Sequence, residues 1–318
     1  MNMKRLLSWL MVLCLLLGLC GCQFSSRDEE EEESSITPLL YKVTDDEGNV
    51  LWLFGSIHVG YDYFYPLPDY VLDAYDSADA IAFELDMKAF EKDLSAQMEA
   101  LTILVYQDGT TIRDHIDPEL YEAAVAILEE EGYYNQALDV YMPILWSSFI
   151  DNCFTEKMDL DSDLGIDSQL LDMAYDDDKQ ILEVESAAFQ YQMMASFSPE
   201  LQAALLEGSV ASFEDFQASK KDMQKLVDLW AGGDEEAFAA YLAEEDGFET
   251  EEDAKLSAEY NKVMITDRNI GMADFAEDAL RSGDEVFICV GAAHIVGEGA
   301  MAQLLAQRGY TVELVGAA

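Results

Sequence analysis

The chain is poor in histidine, proline, cysteine and basic residues. Its 318 residues include 3 histidines, 6 prolines and 5 cysteines, and 17 lysines and arginines stand against 65 aspartates and glutamates. The resulting formal charge of −48 makes a surface that repels phosphate backbones, so nucleic-acid binding is excluded as a function. Such a surface favours solubility and divalent cations, although diffuse acidity alone marks no metal site. Three of the cysteines, Cys14, Cys20 and Cys22, lie at the N-terminus. Only Cys153 and Cys289 remain for a globular part, and their spacing defines no disulfide framework. Cys289 sits in the apolar run Val286 to Val290 and reads as a small core residue. Two common catalytic signatures are also missing. There is no His-Glu-x-x-His helix and no Gly-x-Ser-x-Gly elbow. The stretch Gly297-Glu298-Gly299-Ala300-Met301-Ala302 matches the dinucleotide fingerprint only formally, because Gly291 to Val296 separates it from its strand and removes the tight phosphate turn.

Half of the residues are hydrophobic, enough for one large domain or a domain with an insertion. The first segment is not part of that domain. Lys4 and Arg5 precede an apolar stretch, Leu6 to Leu19, too short for a comfortable membrane span, and then Leu19-Cys20-Gly21-Cys22. This resembles a bacterial lipobox, with residues 1–21 as signal peptide and Cys22 as the lipidated residue at the extracytoplasmic face of the cell membrane. An ordinary cleaved signal peptide or a membrane anchor is the plainer alternative. Residues 22–37 carry Asp28 and the run Glu29 to Glu33, like charges that cannot pack, and read as an extended acidic tether.

The domain is expected over 38–318, as an α/β fold with a mixed central sheet flanked by helices and a large, mainly helical insertion at about 87–260. Leu39 to Val43 and Val50 to Phe54 are β-rich runs around the turn cluster Asp45-Asp46-Glu47-Gly48-Asn49, and Ala80 to Leu85 is a third strand. Asp117-Pro118 and Ser198-Pro199 open helices, with the polar side chain as N-cap and proline at the first turn. Gln180 to Val184 is a further strand. One helix is expected from Ala254 through Arg281, with Met264, Ile270, Phe275 and Leu280 on its apolar face. A final strand–helix–strand unit, Glu285 to Val315, reads as a βαβ element.

Two of the three histidines share one frame. Leu51-Trp52-Leu53-Phe54-Gly55-Ser56-Ile57-His58 and Val286 to His294 are both strand-like runs ending in Gly-x-x-His. Ligands bind beyond the carboxyl ends of α/β strands, and glycine there allows close backbone approach. Glu84 falls at the end of the third strand. Two imidazoles and a carboxylate can form a His₂Glu site for a divalent metal with open positions for water. One such motif is weak, since a strand-end histidine is more often structural; the pair is stronger. His115, in Arg113-Asp114-His115, reads as a structural or surface residue. Arg268, beside Asn269, can bind a carboxylate or an oxyanion, or merely pair with one of the many acids. Glu185, at a strand end, can orient a histidine or serve as an ordinary helix N-terminal acid.

These residues together resemble the TraB/GumN family, which includes the Tiki membrane-associated metalloproteases. The resemblance rests on Phe54-Gly55-Ser56-Ile57-His58-Val59-Gly60, Glu84-Leu85-Asp86, Arg268-Asn269 and Val290-Gly291-Ala292-Ala293-His294. Further matches are Gly165-Ile166-Asp167 with Leu170-Leu171, Glu185-Ser186 with Phe189-Gln190, and Trp230 with Gly233-Asp234. It implies that His58, Glu84, Arg268 and His294 form the active-site set; the chemistry of the residues then reads His58, His294 and Glu84 as metal ligands, Glu84 and Arg268 as catalytic, and Glu185 and Asn269 as supports behind them. It also implies manganese or cobalt as cofactor and a peptide or protein as substrate. A lipobox and tether in place of a transmembrane anchor depart from the Tiki pattern. The expected activity is a metal-dependent hydrolase, most simply a peptidase. A non-catalytic surface protein that sequesters peptides and an esterase-type hydrolase stay open, and oligomeric state is not readable.

Overall fold

The computed structural model describes residues 35–158, 160–243 and 250–316. The expected signal peptide, Cys22 and most of the acidic tether lie outside the described residues. Residues just before Pro38 pack with the domain. Ile36 is buried, and the Thr37 amide donates to the Ala231 carbonyl at 2.8 Å. Among the described residues no helix is long and apolar enough to cross a membrane.

The architecture is α/β. Six strands form one mixed sheet: β1 (Leu40–Thr44), β2 (Val50–Ser56), β3 (Ala80–Phe83), β4 (Gln180–Glu183), β5 (Val286–Gly291) and β6 (Thr311–Val315). Their order is β4-β3-β5-β2-β1-β6. Strands β4, β3, β5 and β2 run parallel, whereas β1 is antiparallel to both β2 and β6. The burial patterns explain the order. Every residue of β3 and β5 is buried, as a strand covered on both faces requires, while β4 and β6 are partly exposed and occupy the edges. The βαβ reading of the C-terminus needs correction: β5 and β6 are not neighbours, because β2 and β1 stand between them.

Strand β5, last but one in the chain, inserts between β2 and β3. Register then brings three carboxyl ends to one edge, with Phe83 beside Cys289, Gly55 beside Val290 and Ser56 beside Gly291. One hydrophobic core packs on this sheet, around Leu53, Phe54, Phe287 and Ile288. A second, with no strand residue among its buried members, surrounds Trp146, Leu205 and Tyr260. The helix Pro143–Lys157 joins them, with Ile150 in the helical core and Phe154 in the sheet core. The stretch expected as a helical insertion is interrupted by β4, which returns to the sheet edge. Asp117 and Ser198 cap their helices by accepting from the Glu119 and Leu201 amides.

The long helix expected from Ala254 through Arg281 is interrupted. The helix Glu251–Tyr260 passes into a π-helical turn, Asn261–Thr266, before the helix Asp267–Ser282. A wider i→i+5 turn shifts the helical phase that follows it. Ile270, expected on the apolar face, is therefore exposed at 46%, and Arg268 and Asn269 are buried with Met272, Ala273, Ala276 and Leu280.

Candidate active site

The structure brings His58, Glu84, Glu185, Arg268, Asn269 and His294 to the common edge of β2, β5 and β3. His58 lies two residues beyond β2, Glu84 one residue beyond β3, Glu185 two residues beyond β4, and His294 in the short helix Ala292–Ile295 that follows β5. The helix Asp267–Ser282 delivers Arg268 and Asn269 from above. Gly291 stands at the centre. Its amide donates to Glu84 Oε1 at 2.8 Å. A Cβ on Gly291 would lie 3.3 Å from Glu84 Oε1, 3.6 Å from His294 Cδ2 and 3.7 Å from His58 Nε2. A side chain there would be tight only against Glu84 and in ordinary contact with the two rings, so the three groups close around Gly291 at van der Waals range.

Arg268 is the hub. Its Nε and Nη2 donate to the two oxygens of Glu185 at 2.8 Å each, and Nη2 also donates to Glu84 Oε2 at 2.5 Å. Nη1 donates to His294 Nε2 at 3.0 Å and reaches the Met264 carbonyl at 3.5 Å. A guanidinium carries five N–H groups, and all five point at protein acceptors. Glu185, read from the sequence as orienting a histidine or as an ordinary helix N-terminal acid, holds Arg268, with Gln190 Nε2 donating to the same carboxylate at 3.0 Å.

The histidines differ. His294 is 1% exposed, and its Nδ1 faces Asn269 Oδ1 at 2.7 Å. The amide orientation is set because Asn269 Nδ2 donates to the Gly299 carbonyl, so the ring carries its proton on Nδ1 and accepts from Arg268 through Nε2. Burial, and then the Arg268 charge, lower the His294 pKa to about 3, so this ring stays neutral. His58 places Nδ1 2.6 Å from Asp167 Oδ2, while its Nε2 is buried with no partner in the protein. Burial alone would lower the His58 pKa, but the carboxylates of Asp167 and Glu84 outweigh it and the net shift is upward. Burial likewise pushes Glu84 upward; Arg268, followed by the two histidines, more than reverses this and holds the carboxyl below its ordinary range.

A solvent-open cleft of about 610 Å³ lies beside His58 and Glu84, with Asp167, Gln190 and Cys289 in its wall. A small apolar recess is lined by His294 together with Leu226, Trp230 and Phe238. Among the described residues no three His, Cys, Asp or Glu side chains stand together as an ion-binding group. The reason is local, since His294 turns its Nε2 to Arg268. The donors that do converge on the Gly291 cradle are His58 Nε2 and Glu84 Oε1, an imidazole and a carboxylate suited to a divalent ion.

Asp167 and Gln190 received no role from the sequence. Both occur in segments that carry the family resemblance, and Asp167 is 109 residues from His58, so no local spacing could have linked them. His115 is distant from this edge. It stacks on Tyr106 at 4.0 Å between centroids, with Thr110 Oγ1 2.7 Å from its Nε2, and is structural. Cys153 and Cys289 are both buried free thiols.

The fold and this strand-edge constellation define an α/β protein with a paired Gly-x-x-His site. The sequence profile of the TraB/PrgY/gumN family matches residues 39–314, and the chain belongs to that family. It is 26% identical over 255 residues to "Uncharacterized protein YbaP" of Escherichia coli (strain K12), covering 80% of this chain and 86% of that one. The protein of the same name from Shigella flexneri gives the same identity and coverage. No solved structure matches.

Proposed function

We propose that this protein is an extracytoplasmic, lipid-anchored, metal-dependent hydrolase acting on peptides or proteins. The observation that carries the reading is the buried, unpartnered His58 Nε2, which shares the Gly291 cradle with Glu84 Oε1 beside a cleft that both residues line. His58 and Glu84 would hold the ion, manganese or cobalt by family resemblance, and His294 would join only on release from Arg268. A divalent ion supplies a Lewis acid and makes water acidic enough to react near neutral pH. The chain's own contribution is electrostatic. Arg268 keeps Glu84 ionised, as either a ligand or a general base requires. For Arg268 to polarise a substrate carbonyl, it must give up one of its present acceptors. The anchor rests on Leu19-Cys20-Gly21-Cys22, and the excess of acids disfavours polyanionic ligands.

A second reading is a peptide-sequestering protein without turnover. It is favoured by the commitment of all Arg268 donors and of His294 Nε2 within the protein. Metal content and hydrolysis of a peptide library, measured on wild type, His58→Ala and His294→Ala, separate the two. The hydrolase reading expects bound divalent metal in the wild type and a loss of activity on the order of 10²-fold or more in both variants. Purified protein without metal, or variants as active as wild type, would sink it. A parallel ester panel distinguishes a peptidase from an esterase.

A further inference from the structure

The two motif histidines are held by chemically different partners, a carboxylate for His58 and an amide for His294. We infer that Asp167 is the positioning residue of His58, locking its ring as the Nδ1–H tautomer and leaving the Nε2 lone pair beside Gly291 free of protein donors. The inference deepens the hydrolase reading and rests on it for its consequence, but not for its geometry.

The fold builds this contact deliberately. Asp167 lies in the first turn of the helix Ile166–Asp176. That helix start is tied to the His58 segment by the Ile166 amide, which donates to the Ile57 carbonyl at 2.9 Å, and by the paired backbones of Gly60 and Asp161. A Cβ on Gly165 would lie 2.6 Å from the His58 carbonyl oxygen, so only glycine lets the helix begin this close. Asp167 Oδ2 then meets His58 Nδ1 at 2.6 Å. A carboxylate only accepts, so the proton belongs on Nδ1 and the lone pair on Nε2.

His294 reaches the same tautomer through Asn269, but its lone pair is already taken by Arg268. Of the ring nitrogens in the two motifs, His58 Nε2 alone faces no protein partner. The repeated motif therefore divides its labour. His58 presents a nitrogen to a ligand, and His294 anchors the guanidinium that governs Glu84. A carboxylate behind a ligating imidazole fixes the ring and raises its basicity.

The test is a long-range ¹H–¹⁵N correlation spectrum of the whole metal-free protein with labelled histidine, recorded at alkaline pH with both rings neutral. The wild type is expected to show His58 and His294 as Nδ1–H tautomers. In Asp167→Ala, His58 is expected to move toward the Nε2–H form that free imidazole side chains prefer, with His294 unchanged. Asp167→Ala is expected to lower Mn²⁺ affinity, read by electron paramagnetic resonance, by about 10–100-fold, with partial recovery in Asp167→Glu. A wild-type His58 found as Nε2–H overturns the inference without any variant. So do His58 signals that are unaltered in a folded Asp167→Ala. The expected tautomers in a protein that hydrolyses nothing would uphold Asp167 and remove only the hydrolase reading.

Discussion

Replacing Arg268 by methionine tests the logic of the whole site. The Arg268 side chain is 1% exposed, and those of Glu84 and Glu185 are 9% and 7% exposed. Methionine fills much of the same space and leaves two carboxylates facing each other without a cation. Removing one partner of a buried ion pair typically costs about 3–5 kcal/mol, because the remaining charge loses both its solvent and its counter-ion. The cost has a pH signature. Without Arg268, burial of Glu84 is no longer opposed by the charge that lowers it most, so its carboxyl moves upward. A group with a raised folded pKa gains stability as pH falls, since the native state then binds the proton more tightly. His294, free of the neighbouring cation, takes a proton more easily in the native state and adds to the same trend. The deficit relative to wild type is expected to be largest above neutrality and to shrink to roughly half by about pH 5. Urea denaturation followed by tryptophan fluorescence at several pH values measures this. A deficit under about 1 kcal/mol at pH 8, or one that does not narrow in acid, would refute the account of Arg268 as the counter-ion of two buried acids. The double variant Arg268→Met with Glu185→Gln is expected to recover part of the loss.

Three further outcomes are expected. The wild type is expected to lose stability as pH falls from about 6.5 toward about 3, by up to about 1.4 kcal/mol per pH unit, because His294 is protonated in the unfolded chain and resists protonation in the native one. His294→Gln should flatten this slope between pH 6.5 and 4.5, where Glu84 does not yet contribute; an unchanged slope would disprove the assignment. Gly291→Ala is expected to cost about 1 kcal/mol and to weaken metal binding, read by calorimetry, since the new methyl presses on Glu84 and contacts His58. Undiminished metal affinity would place the ion elsewhere. Cys22→Ala is expected to move the protein from the membrane fraction to the soluble one, and continued membrane retention would rule out the lipid anchor.

Much of this molecule is local and therefore legible in the chain. The apolar runs at β2, β3 and β5, the Asp117 and Ser198 caps and the repeated Gly-x-x-His frame depend on neighbours a few residues away, where periodicity and capping chemistry act. So the α/β class, the TraB/PrgY/gumN kinship and the histidines worth attention could all be read from residue order. The helix through Arg268 was legible in extent but not in phase, because a π turn leaves no mark in spacing. It buried a cation and exposed Ile270.

What only the tertiary structure decided is which of these groups touch. The placement of β5 between β2 and β3 is a matter of packing and register, and it alone sets His58, Glu84 and His294 around Gly291. Asp167 and Glu185 reach their partners across 109 and 83 residues of chain, distances over which local sequence carries no geometric information. The same reason explains the two histidines. Sequence made them equivalent; folding gave one a carboxylate and a free nitrogen, and the other an amide and an arginine.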